Sequence, residues 1–142
     1  MKRQQIIDKL KEILSQILIV NGYQTNIGQN VFDWRLEPLR REETPCIVIR
    51  DIESYVEEDY TDNANDIRLE LQFDIIMTTT IEDLRKALAD LKKCLGQNET
   101  LDGLVFYMQW KNDSFDADLE EDRILVASCR VSTLYRVNRW GI

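Results

Sequence analysis

The fold of this chain follows from one stretch near its middle, Ile67-Arg68-Leu69-Glu70-Leu71-Gln72-Phe73-Asp74-Ile75-Ile76-Met77. Apolar and polar residues alternate along it until Ile76. Because successive side chains of a strand point to opposite faces of the sheet, this alternation predicts a strand with one face on the core and the other in water. The β-prone run 46–49 continues towards Tyr55 and Val56. We predict that strands over 46–56 and 67–78 form an antiparallel hairpin with a long polar tip.

Two helices are predicted on either side of this hairpin. The first covers about residues 3–19, where isoleucines and leucines recur at steps of three and four, and Asn21-Gly22 follows as a left-handed cap. The second covers residues 81–95, with Thr80 as its N-cap and Gly96 as its end. Each helix has one apolar stripe, so each is expected to pack one face on a sheet.

Shorter apolar segments complete the predicted order. Residues 31–34 predict a short strand, residues 104–110 another, and residues 123–137 a last long strand. Residues 35–43 are highly charged and predict an exposed loop before an extended Thr44-Pro45. The order indicates a single α+β domain, residues 1–142, with a mainly antiparallel β-sheet and two amphipathic helices packed on one face.

The composition argues against an enzyme. The chain has no histidine, which is the commonest general base and metal ligand, and it has no glycine-rich phosphate loop. The three cysteines, Cys46, Cys94 and Cys129, lie far apart in apolar segments and are predicted to be buried, reduced thiols, as is usual in the cytoplasm. We therefore expect no catalytic residues, no metal and no cofactor.

The net charge of −8 excludes two classes of partner. An acidic chain repels phosphate backbones and anionic lipid surfaces, so neither nucleic-acid binding nor membrane binding is expected. No segment reaches the roughly 20 apolar residues that span a bilayer. The N-terminal stretch carries charges that interrupt any signal-peptide core.

The acidic stretch 113–122 faintly resembles a calcium loop but is better explained as a solvated hairpin loop. Counting from Asp116, the sixth position is Glu121 where a calcium loop needs glycine, and the twelfth is Ala127 where it needs glutamate. The neighbouring carboxylates Glu57 and Glu58 lack the apolar surroundings that would raise a pKa for acid–base work. Exposed loop charge is the simpler interpretation of both groups.

The arrangement of segments resembles the tail terminator, or tail-completion, proteins of long-tailed bacteriophages and their prophages. The resemblance covers nearly the full length and rests on the order and spacing of short segments. These are the N-terminal helix closed by Asn21-Gly22-Tyr23, Val31-Phe32, the charged loop into Thr44-Pro45-Cys46-Ile47-Val48, Ile67-Arg68-Leu69-Glu70-Leu71, the helix 81–95, Thr100-Leu101-Asp102-Gly103-Leu104-Val105 and Val131-Ser132-Thr133-Leu134-Tyr135-Arg136. The Trp140 tail and the acidic stretch have no counterpart in the family pattern.

The resemblance implies a non-enzymatic role in virion assembly. Such minor tail proteins form a ring, typically a homohexamer, which stops growth of the tail tube and provides the head-connector interface. The implied partners are other copies of the chain, the tail tube protein and the head-connector protein, first in the bacterial cytoplasm and then in the virion tail. Two alternatives stay open: another head–tail joining or neck protein, and a small monomeric protein-binding adaptor.

Exposed charges and one terminal aromatic residue are the candidate contacts for the ring or its partners. They are expected in the charged loop, at the hairpin tip, in the acidic stretch and in the C-terminal tail: Arg35, Arg40, Arg41, Glu57, Glu58, Asp116, Asp118, Glu120 and Trp140.

Overall fold

The computed structural model of this protein describes residues 1–57, 64–118 and 123–138. Within these ranges, two helices and five strands follow one another in the predicted order. They are α1 (Lys2–Leu14), β1 (Val31–Asp33), β2 (Cys46–Val56), β3 (Ala64–Met77), α2 (Ile81–Gly96), β4 (Tyr107–Asp118) and β5 (Ile124–Asn138). Three short 3-10 helices, Ile19–Asn21, Ile27–Gln29 and Arg41–Glu43, lie in the connections.

The strands form one sheet in the order β1-β2-β3-β5-β4. β1 runs parallel to β2, and every other neighbouring pair is antiparallel. The hairpin of β2 and β3 is confirmed, with Ile47 opposite Ile75 and Ile49 opposite Phe73. The prediction of an α+β fold with a mostly antiparallel sheet is therefore confirmed.

Both helices cover the same face of the sheet. The odd-numbered residues of β3 from Ile67 to Met77 share one core cluster with the apolar stripes of α1 and α2. Five of them are at most 3% exposed: Leu69, Leu71, Phe73, Ile75 and Met77. The apolar residues that repeat every two positions in the strand therefore pack against those that repeat every 3.6 positions in the helices, as expected for two packed layers.

The first helix is shorter than predicted, because it ends at Leu14 and not near residue 19. The chain then turns tightly, and the Gly28 N–H donates to the Ile17 carbonyl at 3.0 Å. This contact brings the Ile27–Gln29 turn to the place where the next helical turn would lie. Ile17 is still fully buried. The predicted set of buried apolar residues therefore includes Ile17 correctly, although Ile17 lies beyond the end of the helix. Gly22 does adopt the left-handed conformation, at φ 93°, but after the 3-10 helix Ile19–Asn21.

The predictions for residues 104–122 were wrong in part. The strand begins at Tyr107 and continues to Asp118, so Asp113, Asp116 and Asp118 belong to β4 and not to a hairpin loop. Pairing with β5 along its whole length explains the difference, since Asp116 lies opposite Val126 and Asp118 opposite Ile124. An edge strand tolerates charged side chains because one of its sides meets water.

Other boundaries agree with the sequence. α2 begins at Ile81, where the Thr80 side chain accepts a hydrogen bond from the Asp83 N–H at 3.1 Å. It ends at Gly96, which is itself helical. The three cysteines are free and buried, as predicted. Within the described ranges, no helix is long and apolar enough to cross a membrane.

Candidate interaction surfaces

The face of the sheet opposite the helices is here called the open face. By register it carries the even-numbered residues of β3 and β5, together with the residues beside them in β2 and β4. In β3 these are five polar residues, Asp66, Arg68, Glu70, Gln72 and Asp74, flanked by Ala64 and Ile76 at the two ends. The alternation that buries one side of β3 thus creates a polar surface about five residues deep on the other side.

Aromatic and arginine side chains form a band across one end of the open face. Tyr55, Arg68, Leu134 and Tyr107 lie side by side on β2, β3, β5 and β4. Phe106 comes just before β4, and its N–H donates to the Leu134 carbonyl at 2.8 Å. We call these residues, together with Arg136, the aromatic–arginine band. Tyr55 and Phe106 are 47% and 49% exposed, so this band offers apolar area to a partner.

Ion pairs hold the two arginines of the band in position. Arg68 Nε is 2.7 Å from Glu57, and its guanidinium lies 5.6 Å from the centre of the Tyr107 ring. Arg136 Nε is 2.7 Å from Asp66, and its guanidinium lies 5.4 Å from the Phe106 ring. The Arg136 hydrogen bond also lowers the pKa of the Asp66 carboxyl. A cation over an aromatic face is attracted by the ring quadrupole, so each ring is orientated as well.

A buried carboxylate stiffens the middle of the open face. Asp74 is 4% exposed and accepts hydrogen bonds from Ser128 at 2.6 Å and from Gln72 at 3.0 Å. The Arg50 guanidinium forms an ion pair with the Asp74 carboxylate, at 3.0 Å. Since these groups come from three adjacent strands, the network ties the strands together and is structural.

Strand β4 forms an edge of the sheet and carries exposed aromatic and acidic residues. Its one neighbour in the described sheet is β5, and its register shifts between Trp110 and Asn112. Trp110 and Phe115 are 56% and 45% exposed. The ammonium of Lys92 on α2 lies 4.0 Å from the Trp110 ring and 2.8 Å from Asp113. Charges and a bulge at an edge discourage uncontrolled strand pairing.

The predicted contact residues do not converge on one site. Arg35 and Arg40 meet at Glu43, at 2.9 Å and 3.2 Å, and Arg41 lies in the same segment. Glu57 lies at the other end of the open face beside Arg68, while Asp116 and Asp118 lie on the edge strand. The predicted contacts Glu58, Glu120 and Trp140 are outside the described residues.

Residues 35–43 are mostly exposed, as the sequence predicted, with six of the nine residues exposed and none buried. The Arg35 and Glu43 side chains are only 19% and 13% exposed, although Arg40 is 71% exposed. The Asn30 amide also donates to the Glu43 carbonyl at 3.0 Å. The charges look typical of a solvated loop in sequence, but several of them are directed at one another.

The aromatic–arginine band was missed because it exists only across strands. Tyr55, Tyr107 and Arg136 are separated along the chain by more than twenty residues each, and none looks unusual in its own segment. The alternation in β3 does place Arg68 on the polar side. Which residues stand beside it depends on strand order and register, which the sequence does not state.

The remaining groups offer little chemistry. Burial raises the pKa of the Cys46 and Cys129 thiols to about 11, and it also raises that of Cys94, so these thiols stay protonated at neutral pH. Among the described residues, no group of three or more Cys, Asp or Glu side chains is arranged to hold a metal ion. A cleft of about 320 Å³ beside the start of α2 has Asp83 as the single ionisable residue in its lining.

A scan against protein-family models gives no match, and a search of the curated proteins finds no similar sequence.

Proposed function

We propose that this protein is a tail terminator of a long-tailed phage or prophage, which assembles as a ring at the end of the tail tube. In this role it halts tube polymerisation and provides the interface for the head connector. The observation that carries the proposal is the exposed aromatic–arginine band at one end of the open face. The segment order that resembles the tail terminator family supports the same function.

The composition of the band suits a protein–protein contact. Interface centres are enriched in tyrosine, phenylalanine and arginine, and a few such residues supply most of the binding free energy. Here Arg68 and Arg136 are already ion-paired, at 2.7 Å in both cases. Side chains that are ordered before binding lose less conformational entropy when a partner arrives, and this favours tight association.

The acidity of the chain is compatible with assembly on a template. At −8 per copy, free subunits repel one another, and contacts around a ring must offset this repulsion. If the acidic stretch beginning at Asp113 lines the channel, it also keeps passing DNA from adhering. Neutralising Asp116, Asp118, Glu120 and Glu121 tests this role, since unchanged assembly and unchanged DNA passage would remove the reason for it.

The proposal is tested by adding the purified protein to growing tail tubes and measuring the distribution of tube lengths by electron microscopy. We expect wild-type protein to stop elongation and to leave a ring at one end of each tube. Tyr55→Ala with Tyr107→Ala should weaken capping at least tenfold, because it removes two exposed rings of the band. Tyr55→Phe with Tyr107→Phe keeps the rings and is the control.

Two outcomes distinguish the tail terminator function from the role of the band as its contact surface. Tubes that grow unhindered in the presence of wild-type protein would contradict the tail terminator function. Full capping by the double alanine variant would leave that function intact and exclude the band as its contact surface.

The two alternative functions predict a different mass in solution and a different binding partner for the protein. A neck or head–tail joining protein would co-purify with the connector and leave free tube ends unchanged. A small adaptor would remain monomeric at all concentrations and bind a defined peptide or protein.

A further inference from the structure

Strand β4 has an outer edge with which no other strand of the described sheet pairs. The strand is 12 residues long, from Tyr107 to Asp118, and it stands last in the strand order, with β5 as its neighbour. Most strands have only about five or six residues. The backbone groups along a free edge are a template on which an extended segment can form further hydrogen bonds. This edge is therefore long enough to receive a complete additional strand.

Two exposed aromatic rings lie along β4 on the side of the sheet that carries the helices. Trp110 is opposite Val131 and Phe115 is opposite Ala127, and both of these β5 residues belong to the core cluster. The register shift after Trp110 keeps the two rings on the same side. Trp110 is nevertheless 56% exposed and Phe115 45% exposed. The helices thus cover β5 but leave the rings of the edge strand in contact with water.

A cleft of about 130 Å³ lies between α2 and the first half of β4. Its lining is mostly apolar and includes Leu95, Met108 and Trp110. Because an apolar cavity of roughly 150 Å³ can hold benzene, the cleft matches one aliphatic or aromatic side chain. The Lys92 ammonium lies 4.0 Å from the Trp110 ring and 2.8 Å from Asp113, so this ring is ordered before anything binds.

The other side of the same edge is acidic. By register, Asp116 and Asp118 lie on the open face. Side chains of a strand placed along β4 would lie beside these carboxylates, where opposite charges stabilise the pairing and like charges destabilise it. In the described sheet, β1 pairs with β2 only as far as Ile49, and residues 51–56 beyond it include two acidic residues and no basic one. Pairing of these two edges between copies would therefore bring like charges together.

We infer that β4 binds an extended segment of a partner protein in which apolar residues alternate with lysine or arginine. The segment adds a strand to the sheet. Its apolar side chains lie beside Trp110 and Phe115, with one of them in the cleft, and its basic side chains lie beside Asp116 and Asp118. In this mode main-chain hydrogen bonds supply affinity, and pockets for alternate side chains supply specificity. The inference goes beyond the proposed function and does not depend on it.

A synthetic peptide as long as β4, in which lysine alternates with valine and leucine, tests the inference on the full chain. Binding is measured by isothermal titration calorimetry, and contact with the backbone by hydrogen–deuterium exchange. We expect binding with slower exchange in residues 107–118 and no such change in residues 51–56. A control peptide of the same composition, with its lysines grouped at one end, should bind about tenfold more weakly because its apolar and basic side chains cannot be sorted to opposite faces.

Matched variants test the two sides of the edge separately. Trp110→Ala should weaken peptide binding at least tenfold, because it removes the exposed ring beside the cleft. Tyr55→Ala removes a ring that is 47% exposed on β2 and should leave binding unchanged. Asp116→Asn should weaken binding by roughly threefold, as expected for one cross-strand ion pair. Glu53→Gln removes the same charge from β2 and should leave binding unchanged.

Several results would overturn the inference. Absence of binding would do so, as would equal binding of the two peptides, which would indicate attraction between net charges alone. Binding without slower exchange in residues 107–118 would exclude strand addition. Slower exchange there on raising the protein concentration without peptide would assign the edge to a second copy instead.

The peptide experiment and the tube assay can fail separately. Peptide binding by a protein that does not cap tubes would support the β4 site and contradict the proposed function. Capping by a protein that does not bind the peptide would do the reverse.

Discussion

Gly28 shows how a single residue fixes the turn after α1. A Cβ atom added there would lie 2.3 Å from the Leu14 carbonyl oxygen and 2.8 Å from the Ile17 backbone nitrogen. Both neighbours are backbone atoms, one at the end of α1 and one in the turn that follows it, and neither can rotate away. Glycine is therefore required here by close approach of two backbone segments.

The first prediction follows from that contact. Gly28→Ala should lower the free energy of unfolding by roughly 1–3 kcal/mol, the usual cost of overpacking, as measured by chemical denaturation. Gly96→Ala is the control, since a Cβ there meets nothing within 4 Å and alanine favours the helix. Equal stability of the two variants would show that the turn can relax.

The Asp51 carboxylate links α1 to the sheet and makes stability depend on pH. Burial alone would raise its pKa, but hydrogen bonds from Trp34 at 2.7 Å and from Arg3 at 2.7 Å outweigh burial and lower it. Because the folded-state pKa is depressed, this stabilisation is complete above the unfolded value of about 3.9 and is lost as pH falls through the lower folded value.

The second prediction is therefore an acid-dependent loss of stability that Asp51→Asn reduces. Thermal melting between pH 5 and pH 2, where roughly the whole titration of such a carboxyl lies, should show a smaller decline in Tm for the variant than for the wild type. The exposed carboxylate Glu12 gives a control variant, Glu12→Gln, which should decline with the wild type. If Tm declined equally with pH in all three proteins, the pH-dependent stabilisation would not come from Asp51.

At the scale of an element, α2 shows that local signals can be sufficient. Its N-cap, its acidic first turn with Glu82 and Asp83, and its apolar stripe all agree with the structure. α1 lacks a side-chain cap, and its end is decided by the Ile27–Gln29 turn that packs on it. Capped ends can therefore be read from sequence with more success than ends set by tertiary packing.

The third prediction concerns that cap. Thr80→Ala removes the acceptor of the Asp83 N–H and should lower the free energy of unfolding by about 1 kcal/mol, measured by urea denaturation. Thr79→Ala alters an adjacent exposed threonine that does not cap the helix, and it should change stability by less than about 0.5 kcal/mol. A similar loss in both variants would mean that this turn, and not the cap, carries the stabilisation.

At the scale of the whole molecule, the net charge of −8 opposes any association between copies. The open face contains acidic and basic residues that already pair within one subunit, such as Arg68 with Glu57 and Arg136 with Asp66. In the proposed ring, long-range repulsion between subunits is therefore expected to act mainly before contact, and attraction between the exposed apolar rings of the band is expected to act after contact. Salt weakens the first of these effects more than the second.

The fourth prediction follows from the proposed ring: higher salt should favour association between copies. Light scattering over a range of protein concentrations should show a larger mass at about 0.5 M salt than at about 0.05 M, because the Debye length shortens from roughly 14 Å to 4 Å. Tyr55→Ala with Tyr107→Ala should remain at the monomer mass in both. Association that is strongest at low salt would instead indicate contacts dominated by opposite charges.

The sequence by itself determined the faces of this protein. Period two in β3, period 3.6 in α2 and the Thr80 cap are local patterns, and they specified an α+β domain with one covered face and one polar face. These patterns are visible because burial repeats at the period of the element. The absence of histidine likewise limits the chemistry open to the chain, because it removes the side chain best suited to proton transfer near neutral pH.

Only the tertiary structure decided which distant residues became neighbours. The strand order placed Tyr55, Arg68, Leu134 and Tyr107 in one row, and pairing with β5 made the acidic residues 113–118 part of a strand. Register and strand order arise from long-range pairing that no local window of sequence contains, so the candidate interaction surfaces are properties of the folded chain alone.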